Sequence, residues 1–367
     1  MKFVHIADVH FDKPYTELAK FGLGEERRLA QREVFRKVIE YIKKNDVEYL
    51  FISGDLYEQE YIRESTIVYI DKLFREIPNT KIFISPGNHD PFIKNSYYNC
   101  YEWGDNVYIF TPEIGIYEEK YIDIYGFGYP DFNIETIDAT NKIEIKNKNK
   151  MNFLVIHGNL NQMNQEEKYW SISFNELKNM GFDYVALGHI HKSNFQDEKY
   201  KENLFIYPGS IIANGFDEKN KHGMIVGNVD EATKQIDIEF VELDTKEFIE
   251  KNIEISDINS IEELIETIEK EFMNFQYNNC FIQVNLIGIQ HFEINLNNIL
   301  NQIRLSNILK VKNYTKKELN LEILAKESSL RGFFTKELMN RLHDDEKNDE
   351  LILNAIEIGL NAIDNLK

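Results

Sequence analysis

Lys2-Phe3-Val4-His5-Ile6-Ala7-Asp8-Val9-His10 opens the chain as an apolar run that stops on an acid and a histidine. Short runs rich in Ile, Val, Phe and Tyr read as buried strands. Four more such runs stop in a similar way. Residues 49–53 lead to Gly54-Asp55, and residues 81–85 to Gly87-Asn88-His89-Asp90. Residues 152–156 lead to His157-Gly158, and residues 184–187 to Gly188-His189-Ile190-His191. Parallel strands bring their carboxyl ends to one sheet edge, where open α/β folds place their ligands. Five polar clusters spread over residues 8–191 are therefore expected to meet.

The residue types in the clusters suit a pair of divalent ions acting on a phosphate ester. Two ions about 3.5–4 Å apart activate a water and neutralise phosphate charge. Asp55 is the candidate for a carboxylate shared by both. Asp8, His10, Asn88, His157, His189 and His191 supply further oxygen and nitrogen donors. Gly54 and Gly87 leave room for tight turns. A single Gly-Asp or His-Gly means nothing alone, but five of the nine histidines fall inside these clusters. His5, His222, His291 and His343 read as ordinary structural or surface histidines.

Helical spacing of apolar residues over residues 24–45 and 67–74 alternates with the first three strands, a β-α-β-α-β order. Shorter strands and turns are expected over residues 107–143. A helix over 174–179, a strand over 204–210 and a closing hairpin of 224–226 with 235–241 follow. Past residue 244 no ligand cluster recurs. A small β-α-β-α-β unit is expected from strands at 248–255, 280–286 and 308–311 and helices at 261–272 and 296–303. Two helical stripes then appear, on Leu330, Phe333, Phe334, Leu338 and Leu342 and on Leu351, Ile352, Ala355, Ile356, Leu360 and Ile363, with a polar linker at 343–350. The expected organisation is 1–243, 244–322 and 323–367.

Sixty-two acids against 42 Lys and Arg give a net charge of −20. Bulk electrostatics would repel nucleic acid, so a DNA substrate needs local basic patches, the metals or a partner to hold it. Lys142, Lys146, Lys148 and Lys150, and Lys310, Lys312, Lys316 and Lys317, are the candidate patches, though both read first as solvated loop or strand ends. Cys100 and Cys280 match no metal or redox spacing, which fits a cytoplasmic setting. Neither a secretory signal nor a membrane span is expected.

Asp-x-His, Gly-Asp, Gly-Asn-His-Asp, His-Gly and Gly-His-x-His in this order resemble the calcineurin-like metallophosphoesterase superfamily. Asp8-Val9-His10-Phe11-Asp12-Lys13-Pro14, Tyr207-Pro208-Gly209-Ser210 and Ser329-Leu330-Arg331-Gly332-Phe333-Phe334 resemble its SbcD/YhaO type of DNA repair nuclease subunit. The resemblance implies an α/β fold of four layers, two packed mixed β-sheets flanked by helices, with a small α/β capping domain and C-terminal helices. It implies that Asp8, His10, Asp55 and His191 hold one ion and Asp55, Asn88, His157 and His189 the other. His89 would act at the leaving oxygen and Asp90 would orient His89. The implied ions are manganese, with iron, zinc or magnesium as alternatives. The implied reaction is DNA phosphodiester hydrolysis by a metal-bridging hydroxide, in a homodimer joined to an SbcC-like SMC-family ATPase. A small-molecule or cyclic-nucleotide phosphodiesterase, a phosphoprotein phosphatase and a non-catalytic scaffold are the competing readings. Glu58 stands where animal and archaeal relatives carry a second histidine. It is expected to alter exonuclease behaviour and to leave the metal set untouched.

Overall fold

The computed structural model describes every residue except 21, 134–142, 161–170, 220, 245, 274–276, 278, 318–320, 343–345 and 365–367. Lys142 and the start of the 343–350 linker lie outside the described residues. The chain divides into two compact units, Met1–Glu250 with Phe275–Gln283, and Lys251–Asn274 with Val284–Lys367.

The first unit holds two mixed sheets. One has six strands in the order Ile236–Asp244, His222–Val229, Lys2–Ile6, Tyr49–Ile52, Lys81–Ile84 and Val107–Ile109. Its first two pairings are antiparallel and the other three parallel. The other sheet orders Phe205–Ile206, Tyr184–Gly188, Met151–His157, Ile122–Gly126 and Gly115–Glu118, with only the last pairing antiparallel.

Side-chain alternation explains how the sheets stack. Phe3, Phe51 and Phe83 of the first sheet are buried against Ile124, Phe153 and Tyr184 of the second. Phe3 meets Tyr184 at 4.7 Å and Phe153 edge-on at 5.4 Å between ring centroids. The alternate residues Val4, Leu50, Ile52, Ile82 and Ile84 face the other way, onto Val34, Phe35 and Val38 of helix Gly24–Asn45 and Ile67, Ile70 and Phe74 of helix Glu64–Arg75. On the far side, Leu154, Ile156, Val185 and Leu187 pack with Phe174 and Leu177 of helix Phe174–Met180. The order is helix, sheet, sheet, helix, as expected. The two faces of each strand thus build three apolar layers from one period-two pattern.

Register sets where the strands end. His5 pairs with Phe51 and Ile6 with Ile52, while Ile52 pairs with Ile84. Gly188 lies opposite His157. The residues that follow these positions therefore leave their sheets side by side. One expected strand is shorter than the spacing suggests. Residues 204–210 give only Phe205–Ile206, because Pro208 has no N–H for a ladder and Gly209 turns the chain at φ +78°.

Past Asp244, a three-stranded sheet orders Glu247–Glu254, Cys280–Ile287 and Ile308–Asn313. Helix Ile261–Phe272 starts where the Ser260 hydroxyl accepts the Glu263 N–H at 3.1 Å, and it buries Leu264, Ile265, Ile268 and Phe272. The last helices are Leu330–Met339 and Glu346–Asp364. Of their stripes, Ile356 and Leu360 are buried, whereas Leu330, Phe333 and Leu351 are largely exposed, as is Ile358 beside them. No helix of the described residues is long and apolar enough to cross a membrane.

Truncating Phe153, which is buried among Phe3, Phe51 and Tyr184, should cost about 3–5 kcal/mol of unfolding free energy in a urea titration of Phe153→Ala. A cost below about 1 kcal/mol, the scale of a surface change, would contradict the packed interface between the sheets.

Candidate metal centre

Four polar residues that end the strands sit in left-handed backbone. Asp8, His10, Asp55 and His189 have φ of 53°, 54°, 52° and 100°. Such conformations cost of order 1–3 kcal/mol each for residues other than glycine and persist only where the surroundings enforce them. Here the loops are tied to one another. Asp8 N–H donates to the Gly54 carbonyl at 3.1 Å, His10 N–H to the Asp55 carbonyl at 2.8 Å and Gln59 N–H to the His89 carbonyl at 2.9 Å. The buried Gln31 amide, carried by helix Gly24–Asn45, donates to the carbonyls of Val9 and His10. Gly54 combines φ +85° with a close approach, since a Cβ there would stand 2.3 Å from His157 Nδ1.

Three rings of the cluster present themselves alike. His10 Nδ1 faces Glu58 at 2.9 Å, His191 Nδ1 faces Glu218 at 2.5 Å and His157 Nδ1 donates to the Ser53 carbonyl at 2.9 Å. Each acceptor fixes the proton on Nδ1 and turns Nε2 into the cluster. There, His10 Nε2 lies 3.1 Å from His191 Nε2. His157 Nε2 lies 2.9 Å from Asn88 Oδ1 and 3.4 Å from Asp55 Oδ2. His10 Nε2 is 3.7 Å from the same Asp55 oxygen, and His191 Nε2 is 3.9 Å from Asp8 Oδ1.

Imidazole nitrogens thus face one another and face carboxylate and amide oxygens. A shared cation satisfies that arrangement. Asp8, His10 and His191, and Asp8, Asp55 and His157, form groups whose donor atoms lie within 4.8 Å of one another. The donor set therefore fits divalent ions, and its oxygen and imidazole mixture suits first-row metals. The electrostatics agree. Burial pushes the Asp8 carboxyl above its usual range. Burial also raises Asp55, but His157, His10 and His89 outweigh it and hold that carboxyl well below. His189 closes the cluster. Its N–H donates to both Asp8 oxygens at 3.1 Å, and its ring stands edge-on to His157 at 5.2 Å. Burial, then His157, lowers its pKa to about 3.

Two expectations need correction. Asp90 does not orient His89. Its buried carboxylate accepts the N–H groups of Asp55 (3.0 Å), Leu56 (2.6 Å) and Gly87 (2.6 Å) and the Tyr98 hydroxyl (2.6 Å). Asp90 therefore fixes the backbone that carries Asp55. The partner of His89 is Glu58, whose second oxygen meets His89 Nδ1 at 2.8 Å. Nor is Glu58 separate from the metal set, since it grips His10 with its first oxygen. Position was the only sequence signal for Glu58, three residues after Asp55. Glu218 had none, because it lies 27 residues past His191.

The candidate basic patch around residue 146 is partly neutralised, with Lys146 on Glu118 at 3.0 Å and Lys150 on Asp123 at 2.7 Å.

Comparison with known proteins agrees with this geometry. Residues 1–193 match the family described as calcineurin-like phosphoesterase. The chain is 22% identical over 300 residues to the "Uncharacterized metallophosphoesterase YhaO" of Bacillus subtilis (strain 168), covering 78% of this chain and 71% of that protein. It is 26% identical over 295 residues to the "DNA double-strand break repair protein Mre11" of Methanocaldococcus jannaschii, covering 74% of each. It is also 26% identical over 326 residues to a subunit of the nuclease SbcCD of Staphylococcus epidermidis, covering 79% of this chain and 80% of that protein. A family of divalent-metal hydrolases, a four-layer fold and a buried set of carboxylates and imidazoles at its strand ends point the same way: the chain belongs to the calcineurin-like metallophosphoesterases.

Proposed function

We propose that this protein hydrolyses phosphodiester bonds in DNA, as the nuclease subunit of a double-strand-break repair complex with an SMC-family ATPase. The observation that carries the reading is the donor cluster with the His89–Glu58 pair beside it. The repair and nuclease names of the relatives support DNA over a small substrate. In this reading Asp8, His10, Asp55 and His191 hold one ion, and Asp55, Asn88, His157 and His189 the other, with manganese as the working metal. Residues 1–243 carry the chemistry, 244–322 form a separate small α/β domain and 323–367 dock the ATPase. The exposed Leu330, Phe333, Leu351 and Ile358 support that docking role. The protein works as a cytoplasmic homodimer.

A bound pair of divalent ions supplies an activated water and neutralises the phosphate. The chain supplies the acid. The His89 side chain is 44% exposed while its Nδ1 is held inside by Glu58, so Nε2 is the atom available to a substrate. Burial lowers the His89 pKa, but the Glu58 hydrogen bond and the Asp55 and Glu58 charges outweigh it, and the result is about 9. In the ion-free site the ring is thus a cation at neutral pH. As water's oxygen bonds to phosphorus and the opposite P–O bond breaks, the His89 proton passes to the leaving oxygen. The water's proton goes to solvent.

His89 in ion-free protein should titrate near pH 9 by NMR. A raised folded pKa contributes stability that is complete below about 6.5 and is lost as pH rises through about 9. Glu58→Gln removes the carboxylate, so the midpoint should fall. A midpoint unchanged in Glu58→Gln would break the assigned pairing.

The function itself is tested with manganese on single-stranded, blunt and hairpin DNA beside a chromogenic bis-phosphodiester. Wild type should cut DNA, and His89→Ala should lose about 100-fold or more while still binding metal, the usual scale for a lost general acid. Cleavage of the chromogenic compound alone, with the ATPase partner supplied, would favour a small-molecule phosphodiesterase. Loss of metal in His89→Ala would make His89 a ligand instead.

A further inference from the structure

His191 has the weakest packing of the proposed ligand rings that turn Nε2 into the cluster. Its side chain is 26% exposed, against 1% for His10 and 0% for His157. Van der Waals contact alone does not hold such a ring at an ion, and the segment after Tyr207 supplies what packing lacks. Gly209, at φ +78°, comes so close that a Cβ would stand 2.6 Å from the His191 carbonyl. Ser210 N–H donates to that carbonyl at 3.1 Å. The chain then turns, with Glu218 N–H on the Gly215 carbonyl at 3.1 Å, and returns a carboxylate to the His191 ring.

Glu218 is only 8% exposed, and its carboxylate is held from several sides. One oxygen receives His191 Nδ1 at 2.5 Å and the Asn214 side-chain amide at 3.0 Å. The other receives the Ser210 hydroxyl and the Asn214 backbone N–H, both at 3.0 Å. Four donors on one buried carboxylate leave it unable to swing toward an ion. It acts on the ion only through His191.

We propose that Glu218 is a positioning residue for His191 and that the segment 209–218 sets the metal affinity of one half of the centre. The inference rests on the assignment of His191 as a ligand. Glu218 fixes a proton on Nδ1 of the ring, aims Nε2 at Asp8 and His10, and adds negative charge behind the ring. Groups of this kind, behind a ligating histidine, are worth about 10- to 100-fold in metal affinity when removed. The effect belongs to the ion at Asp8, His10 and His191. The ion at Asp55, Asn88 and His157 has its own Nδ1 partner, the Ser53 carbonyl, and keeps its affinity.

The test is a manganese titration of the full-length protein, read by calorimetry and by electron paramagnetic resonance, which separates a coupled ion pair from a lone ion. Wild type should bind two ions. Glu218→Ala should bind one as before and the other about 10- to 100-fold more weakly, with turnover restored by excess manganese and substrate KM unchanged. Glu218→Asp should recover part of the loss. Asn214→Ala, which touches no ligand, should give a smaller loss at the same ion and keeps the test alive if Glu218→Ala does not fold. Two ions bound with wild-type affinity in both Glu218→Ala and Asn214→Ala would overturn the proposal, as would equal weakening of both ions. His191→Ala separates the layers. If it loses one ion while the other variants lose none, the positioning role alone falls. If it keeps both, the ligand assignment falls and this inference with it.

Discussion

Two buried carboxylates within one cluster govern this structure. Asp8 is fully enclosed and Asp55 nearly so, and each raises the cost of ionising the other. A carboxylate stripped of water is tolerated only with hydrogen bonds or opposite charge around it. The rest of the site reads as that compensation. His189 N–H caps Asp8, His89 N–H donates to Asp55 at 2.9 Å, and three rings turn their Nε2 atoms toward the pair. Divalent ions would complete what protein groups leave open. The left-handed turns at Asp8, His10 and Asp55 belong to the same account, because extended backbone would carry their side chains apart.

The sheets supply the rigidity that such strain requires. Parallel register aligns the ends of Lys2–Ile6, Tyr49–Ile52 and Lys81–Ile84, and the pairing of Gly188 with His157 does the same in the second sheet. The aromatic layer between the sheets then fixes one edge against the other. Ser53 shows the coupling in a single residue. Its carbonyl holds His157 of the second sheet, while its hydroxyl lies 3.1 Å from His5 and donates to the Ala186 carbonyl at 2.9 Å. A shift between the sheets would therefore misaim the His157 ring.

The sequence was most readable where local rules decide. Apolar alternation in 2–6 and helical spacing in 24–45 depend on near neighbours, so strands, helices and the donor clusters at their ends could be placed by eye. Spacing could not assign partners. His89 sits next to Asp90, yet strand geometry sends Asp90 back to the amides of Asp55, Leu56 and Gly87 and brings Glu58 to the ring. Glu218 reaches His191 only because Pro208 and Gly209 stop a strand that apolar content alone would extend. Such contacts are set by tertiary closure, which no local window contains.

Net charge gains a different meaning from the same geometry. At −20 the chain would push a polyanion away, and Lys146 and Lys150 already face acids of their own. The centre itself gathers the carboxyl groups of Asp8, Asp55, Glu58 and Glu218 among its imidazole rings. Each divalent ion would add two positive charges at that one place. Fields of like sign over the remaining surface are screened within about 8 Å at physiological salt, whereas ions in a sheltered cluster act on a phosphate in direct contact. An acidic chain can thus cut an anionic substrate if binding is confined to the loaded centre and the wider grip comes from a partner. Metal occupancy would then govern substrate binding as well as chemistry, because the ions would bring positive charge to the place that a phosphate meets.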